Sequence, residues 1–241
     1  MLVLSLFPGI GLLDMAFELE GFCVVRGPDV LWGGDVRKFH PPAGKFDGVI
    51  GGPPCQAFSS LVHLNRAMGV EPKHGDLIPE FERVVSEAAP LWWVMENVPA
   101  APRPVVGSYI TRTQMVCDRH CGGLTARTRA ISFGTPGGRY LQFDLRLLPS
   151  DDKPELAVTG SARKISVGGT IRRNDNGKKT EPGYSARLSV AEMIHLQGLP
   201  AEFMSDSPFT ESARRKMVGN GAPIPMGRAI ARAVKEAIGQ A

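Results

Sequence analysis

The first candidate for chemistry is a cysteine set between a proline pair and a polar turn. In Gly51-Gly52-Pro53-Pro54-Cys55-Gln56-Ala57-Phe58-Ser59 the apolar run Phe46 to Ile50 empties into a rigid loop. The prolines fix φ, and the glycines allow the backbone to approach a ligand closely. A packing cysteine normally sits inside an apolar periodic run. Cys55 does not, which favours a nucleophile, although a free cysteine taken at random is more often inert. The second candidate is Glu96, which directly follows the apolar stretch Leu91-Trp92-Trp93-Val94-Met95 and precedes Asn97-Val98-Pro99. An ionised glutamate there either caps a neighbouring element or serves a site at a strand end. In Thr125-Ala126-Arg127-Thr128-Arg129, alternation would put both arginines on one strand face, in a site or flanking a solvated edge. Arg163, Lys164, Arg172, Arg173, Lys178 and Lys179 stand against the single acid Asp175 between positions 161 and 180. Such a cluster is a solubilising face, a disordered loop or, better, a phosphate-contacting surface that releases counterions from a duplex.

The elements that must hold these groups follow from the pattern. Leu2 to Phe7 reads as a strand, Pro8 to Gly11 as a turn, Leu12 to Glu20 as a helix and Phe22 to Arg26 as a second strand. A glycine-bearing turn between a first strand and helix is the usual ligand-binding device of a doubly wound sheet. Residues 28–42 are irregular, with Asp35 after paired glycines. The stretch from Ala57 to Leu77 lacks a sustained period and suits a lid. A helix is expected from Pro79 to Ala89, and short strands over Gln114–Val116 and Arg129–Phe133. Another helix should cover Leu188–Leu196, with Ser189 and Glu192 as a capping box. A short helix capped by Ser207 or Thr210 and a closing helix from Ile224 to Ile238 complete the chain. Composition divides it into 1–138, a small β-rich lobe at 139–185, and 186–241 returning to the first unit.

Several classes fall away. Cys23, Cys55, Cys117 and Cys121 are too few and too unevenly spaced for a disulfide framework in 241 residues. Cys117-Asp118-Arg119-His120-Cys121 invites a metal, but no second cluster completes a ligand set, so none is expected. No apolar run reaches the roughly eighteen residues of a membrane span. The apolar opening lacks a basic flank and reads as a core strand, so a cytoplasmic protein is expected. Nothing marks an oligomer interface, which leaves a monomer as the default.

Taken in order, these motifs resemble the C5-cytosine-specific DNA methyltransferases of bacterial or phage type. The resemblance rests on Leu6-Phe7-Pro8-Gly9-Ile10-Gly11, Gly34-Asp35-Val36, Pro53-Pro54-Cys55-Gln56, Glu96-Asn97-Val98 and Arg127-x-Arg129. Arg187-Leu188-Ser189-x-x-Glu192 running to Leu196-Gln197-Gly198-Leu199-Pro200, and Gly219-Asn220-Gly221-Ala222-Pro223, complete it. It implies a Rossmann-like S-adenosylmethionine-dependent α/β sheet with a small β-rich target-recognition lobe. It also implies methyl transfer to C5 of a flipped-out cytosine in a short double-stranded DNA target, with S-adenosylhomocysteine as product. Cys55 would be the nucleophile toward C6, Glu96 the acid at N3, Arg127 the grip on the cytosine carbonyl, and Arg129 and Asn97 positioning groups. Phe7, Gly9, Ile10, Gly11, Asp35, Pro53, Asn220 and Ala222 would hold the cofactor, with Asp35 accepting the adenine amine and Phe7 or Trp32 in apolar contact. Gln56, Ser59 and the six basic residues of the 161–180 stretch would contact DNA. A functionally paired restriction endonuclease, without a stable complex, is one companion the resemblance allows; protection of phage DNA and action alone are the alternatives. An RNA methyltransferase, or a non-catalytic DNA-binding protein on the same scaffold, is the alternative. The sequence departs from the family at Thr125, where glutamine is usual, and lacks the acid expected at the end of the second strand, where Arg26 and then Asp29 stand. The stretch from that strand to Asp35 is too short for the usual helix.

Overall fold

The computed structural model describes residues 1–54, 75–146, 158 and 188–239. Six strands form one sheet in the order β2-β1-β3-β4-β6-β5. They are β1 (Leu2–Leu6), β2 (Cys23–Arg26), β3 (Gly48–Gly51), β4 (Trp92–Asn97), β5 (Ile110–Cys117) and β6 (Thr128–Thr135). The first four run parallel, as the short apolar runs and intervening helices demand. β6 returns antiparallel to β4, and β5 pairs antiparallel with β6 at the edge.

Helices α1 (Leu12–Leu19), α2 (Ile78–Ala88) and α5 (Ile224–Ala237) cover the sheet. Neighbouring tryptophans show how period-two alternation sorts its faces. Trp92 packs with Phe17, Phe22, Ile230 and Val234 beneath α1 and α5, while Trp93 packs with Phe81, Val84 and Val85 of α2. Strand pairing brings Gly134 opposite Trp93, and a Cβ there would stand 2.0 Å from the indole Cε2. Only glycine fits. Helices α3 (Val190–Leu196) and α4 (Glu211–Asn220) form a third cluster with Leu12, Ala16 and Val158. Ser189 and Glu192 make the expected capping box at the start of α3, and Thr210 caps α4.

The strands at 114–116 and 129–133 prove longer than expected, at eight residues each. β5 is an edge strand whose Thr111, Arg112, Thr113 and Gln114 hide any apolar alternation, so pairing extends beyond what hydrophobicity marks. Between β2 and Asp35 there is only a 3-10 turn, Val30–Trp32, in place of a helix. Most of the stretch expected to form the recognition lobe lies outside the described residues. Among those described, Leu141 is buried beside Trp92 and Phe133, and its carbonyl accepts from Gln114 Nε2 at 3.1 Å.

Chain order reverses between β1 and β3. β1 continues through α1 to β2 on one side, while β3 lies on the other. Open α/β sheets bind ligands at the carboxyl ends of strands at such a switch point. The turn after β1, the loop after β3 and the last residues of β4 all lie at that end.

Candidate active site

The turn after β1 is built from left-handed residues. Phe7 (φ 56°), Gly9 (φ 55°) and Gly11 (φ 80°) alternate along it. For Phe7 that conformation costs about 1 kcal/mol or more, a strain that persists only where surrounding structure enforces it. The enforcement is visible. Gly9 N–H donates to Asp29 Oδ2 at 2.9 Å, and Trp32 Nε1 donates to Gly9 O at 2.8 Å. The short connection after β2 therefore clasps the turn from both sides. A Cβ on Gly9 would meet nothing within 4 Å, so its outer face is open. Gly11 begins α1 without any side-chain cap, which leaves the first N–H groups of the helix for an external acceptor. Arg26 packs against Gly11 and pairs with Asp14 at 3.0 Å, while Asp14 also accepts from Ser5 Oγ. Burial pushes the Asp14 carboxyl above its ordinary range against those two partners.

At the end of β4, Glu96 and Asn97 face the start of the cysteine loop. Arg129 Nε lies 2.7 Å from Glu96 Oε1, with side chains only 16% and 13% exposed. Glu96 Oε2 would be 3.3 Å from a Cβ placed on Gly52. Asn97 Nδ2 donates to Pro53 O at 3.3 Å, and its Oδ1 accepts from Val98 N–H at 2.8 Å. An acid, a guanidinium and a proline loop thus converge at one sheet end. Such a grouping can present a proton to a ring nitrogen and positive charge to a neighbouring oxygen.

A family model for C-5 cytosine-specific DNA methylases matches residues 32–111 and 122–236. The chain belongs to that family. The matched range contains Cys55, Glu96 and both arginines. The type II methyltransferase M.HindV of Haemophilus influenzae is 24% identical across 95% of this chain and 95% of its own length. M.NgoPII of Neisseria gonorrhoeae is 31% identical, over 41% of this chain and 33% of its own length. Among solved structures, the S. pombe Dnmt2 methyltransferase superposes with a TM-score of 0.65 at 12% identity, covering 98% of this chain and 99% of that one. A putative DNA modification methyltransferase from an E. coli prophage gives 0.61 at 17% identity, with 99% of each chain covered.

The residues that this DNA methylase shares with its family are only partly arranged as alternation suggested. Arg127 and Arg129 do not share a face. β6 begins at Thr128, so Arg127 precedes the strand and turns inward. It is 3% exposed and donates to Val158 O at 2.7 Å, Gly219 O at 3.0 Å and Asn220 O at 3.4 Å. Arg129 is the guanidinium at Glu96. The Asp35 carboxylate is also engaged. It binds Arg37 through both oxygens at 2.9 Å and caps the 3-10 turn Val36–Lys38, and these bonds hold it below the usual carboxylate range. Ile10 packs with the cluster around α3 and α4, Asn220 ends α4, and Ala222 is buried in the turn that follows. Cys55, Gln56, Ser59, Arg163, Lys164, Arg172, Arg173, Lys178 and Lys179 lie outside the described residues.

Four residues emerge that motif reading assigned no such place. Asp29 and Trp32 clasp Gly9. Gln197, fully buried, donates to Val218 O at 2.6 Å and Gly221 O at 3.1 Å. Asp118 is buried and accepts from Thr125 N–H at 3.1 Å and Thr125 Oγ1 at 2.7 Å. Asp29 was detectable as the first acid beyond β2. Asp118 carried no signal except its place between two cysteines. Of those, the Cys121 thiol is pushed up to about 12, chiefly by burial, which removes it as a nucleophile at neutral pH.

Proposed function

We propose that the protein transfers a methyl group from S-adenosylmethionine to C5 of a cytosine turned out of double-stranded DNA, through a covalent bond between Cys55 and C6. The observation that carries the reading is the pairing of Glu96 with Arg129 beside Gly52 and Pro53, directly before Cys55. C5 of cytosine is a weak nucleophile and the base is stacked inside a duplex, so the reaction needs extrusion and a covalent detour. The Cys55 thiolate adds to C6, and the displaced π electrons make C5 carbanion-like. Glu96, in its protonated form, passes its proton to N3 as the thiolate adds and takes it back as the thiolate leaves, which keeps negative charge from accumulating on the ring. Arg129 orients Glu96 and presents positive charge to the cytosine carbonyl oxygen; this assigns it the part that the motif pattern gave to Arg127. Asn97 holds the Pro53 backbone. Water or hydroxide then takes the C5 proton, the C5–C6 double bond re-forms and the thiolate leaves.

The residues present fit the cofactor. The uncapped α1 N-terminus, the open face of Gly9 and the half-buried Asp29 carboxylate offer donors, room and an acceptor on one turn. Phe7, Gly9, Ile10 and Gly11 would cradle it, Asp29 would receive ribose hydroxyls, and Pro53, Asn220 and Ala222 would close its far side. Asp35 would have to release Arg37 to meet the adenine amine. When bound, S-adenosylmethionine supplies the electrophilic methyl group. The basic 161–180 stretch divides between phosphate contacts and base-edge readout, with Gln56 and Ser59 near the flipped base. We infer a monomer acting on duplex DNA.

Methylation of unmodified genomic DNA with labelled S-adenosylmethionine, followed by bisulfite sequencing, tests the reading. One short motif carrying 5-methylcytosine is the expected result. Label entering RNA but not DNA, or no label despite cofactor binding, would overturn the DNA substrate or the catalysis respectively.

A further inference from the structure

The turn between α4 and α5 is gripped by two buried side chains, Gln197 and Arg127. The last carbonyls of a helix lack intrahelical partners, and its C-terminus attracts positive charge. At the end of α4, Gln197 takes Val218 O and Gly221 O, and Arg127 takes Gly219 O and Asn220 O. Four consecutive carbonyls are thereby bound by two buried side chains. Arg127 is in turn fixed from behind, because Asp118 N–H donates to Arg127 O at 2.9 Å. Thr125 spends its N–H and its hydroxyl on Asp118. Burial raises the Asp118 carboxyl, while the Thr125 hydrogen bonds and the charge of Arg127 pull the other way.

We propose that Arg127, held in place by Asp118 and Thr125, is a positioning residue that clamps the Asn220–Pro223 turn, and that this clamp sets affinity for the cofactor. The proposal rests on the methyltransferase reading, in which Asn220 and Ala222 close the cofactor site. It gives Thr125 a specific task in place of the glutamine usual in the family. It also removes Arg127 from the base, since a guanidinium 3% exposed and bound to carbonyls from two separate segments has no path to a flipped cytosine. Lysine at position 127 keeps the charge but, as a point donor, cannot span Val158, Gly219 and Asn220 together.

The test is calorimetric titration of S-adenosylhomocysteine into the full-length wild type, Arg127→Lys and Thr125→Val, with kcat and the KM for S-adenosylmethionine measured in parallel. The dissociation constant should rise about tenfold for Arg127→Lys and about threefold for Thr125→Val, with KM following and kcat at saturation falling by less than about threefold. Loss of stability alone would lower the melting temperature without changing affinity well below it. Unchanged affinity in both variants, or a collapse of kcat with affinity intact, overturns the clamp. If Arg127→Lys fails to fold, Thr125→Val decides, since it deletes only one hydroxyl. A wild type that binds no S-adenosylhomocysteine overturns the cofactor reading itself, and is thereby distinguished from a clamp that has no effect.

Discussion

Replacing Arg129 with methionine isolates the guanidinium at Glu96 while keeping most of its volume. At 2.7 Å the two charges attract by about 6 kcal/mol with an effective dielectric constant of about 20. Desolvation offsets much of that. Breaking a buried ion pair by removing one partner typically costs about 3–5 kcal/mol, and exposures of 16% and 13% place this pair toward the lower end. If about 3 kcal/mol of it is expressed as misplacement of the acid and lost charge at the carbonyl oxygen, the rate falls roughly 10²- to 10³-fold. Single-turnover methylation of a cognate duplex, with both substrates saturating, reads that step directly. S-adenosylhomocysteine affinity should stay within about twofold, because among the described residues Arg129 meets Glu96 and Thr128 and not the turn after β1. The Glu96→Gln/Arg129→Met double variant should be scarcely slower than the worse single variant, since coupled groups lose their joint contribution once. A rate for Arg129→Met within about threefold of wild type would refute the assignment of Arg129 to the reacting base.

Cys55→Ala should abolish turnover while retaining cofactor binding, and detectable 5-methylcytosine from that variant by nucleoside mass spectrometry would eliminate the covalent route. Glu96→Gln should lower single-turnover kcat by about 10²-fold or more with the thermal midpoint little changed. Gly134→Ala drives a methyl group to 2.0 Å from Trp93, so it should destabilise by about 1–3 kcal/mol or more in urea unfolding; a midpoint equal to wild type would show the indole free to move. Asp118 is raised above its ordinary 3.8 chiefly by burial, so in acid the native state holds a proton that the unfolded chain has released. Its contribution to stability is therefore fully present below pH 3.8 and is lost as pH rises through the folded value. Asp118→Asn should remove that fall across a urea series from about pH 4 to about pH 7, and an unchanged slope would contradict it.

What the chain made legible divides by how far a residue's partners lie from it in sequence. Strand ends are local facts. An apolar run that stops at Glu96, and another that stops at Gly51-Gly52-Pro53-Pro54, announce themselves without any knowledge of neighbours, and the sheet puts both at one end. The capping box at Ser189 is equally local. The division of labour between Arg127 and Arg129 is not. Two arginines one residue apart look equivalent, and period two assigns them one face only if both lie in the strand. Pairing with β5 begins at Thr128, after Thr125 has been drawn in by Asp118, which directly follows β5 in the same connecting loop. Arg127 is consequently turned toward Gly219 and Asn220, more than ninety residues away. A buried guanidinium must find acceptors, and the orphan carbonyls of α4 are where it finds them. The threonine at 125 thus reads as a departure from a motif in one dimension and as a hydrogen-bonded anchor in three. The same reasoning explains Asp29. Without a helix after β2, the short connection stays close enough to clasp Gly9, so a carboxylate displaced by three residues from the strand end still reaches the turn after β1.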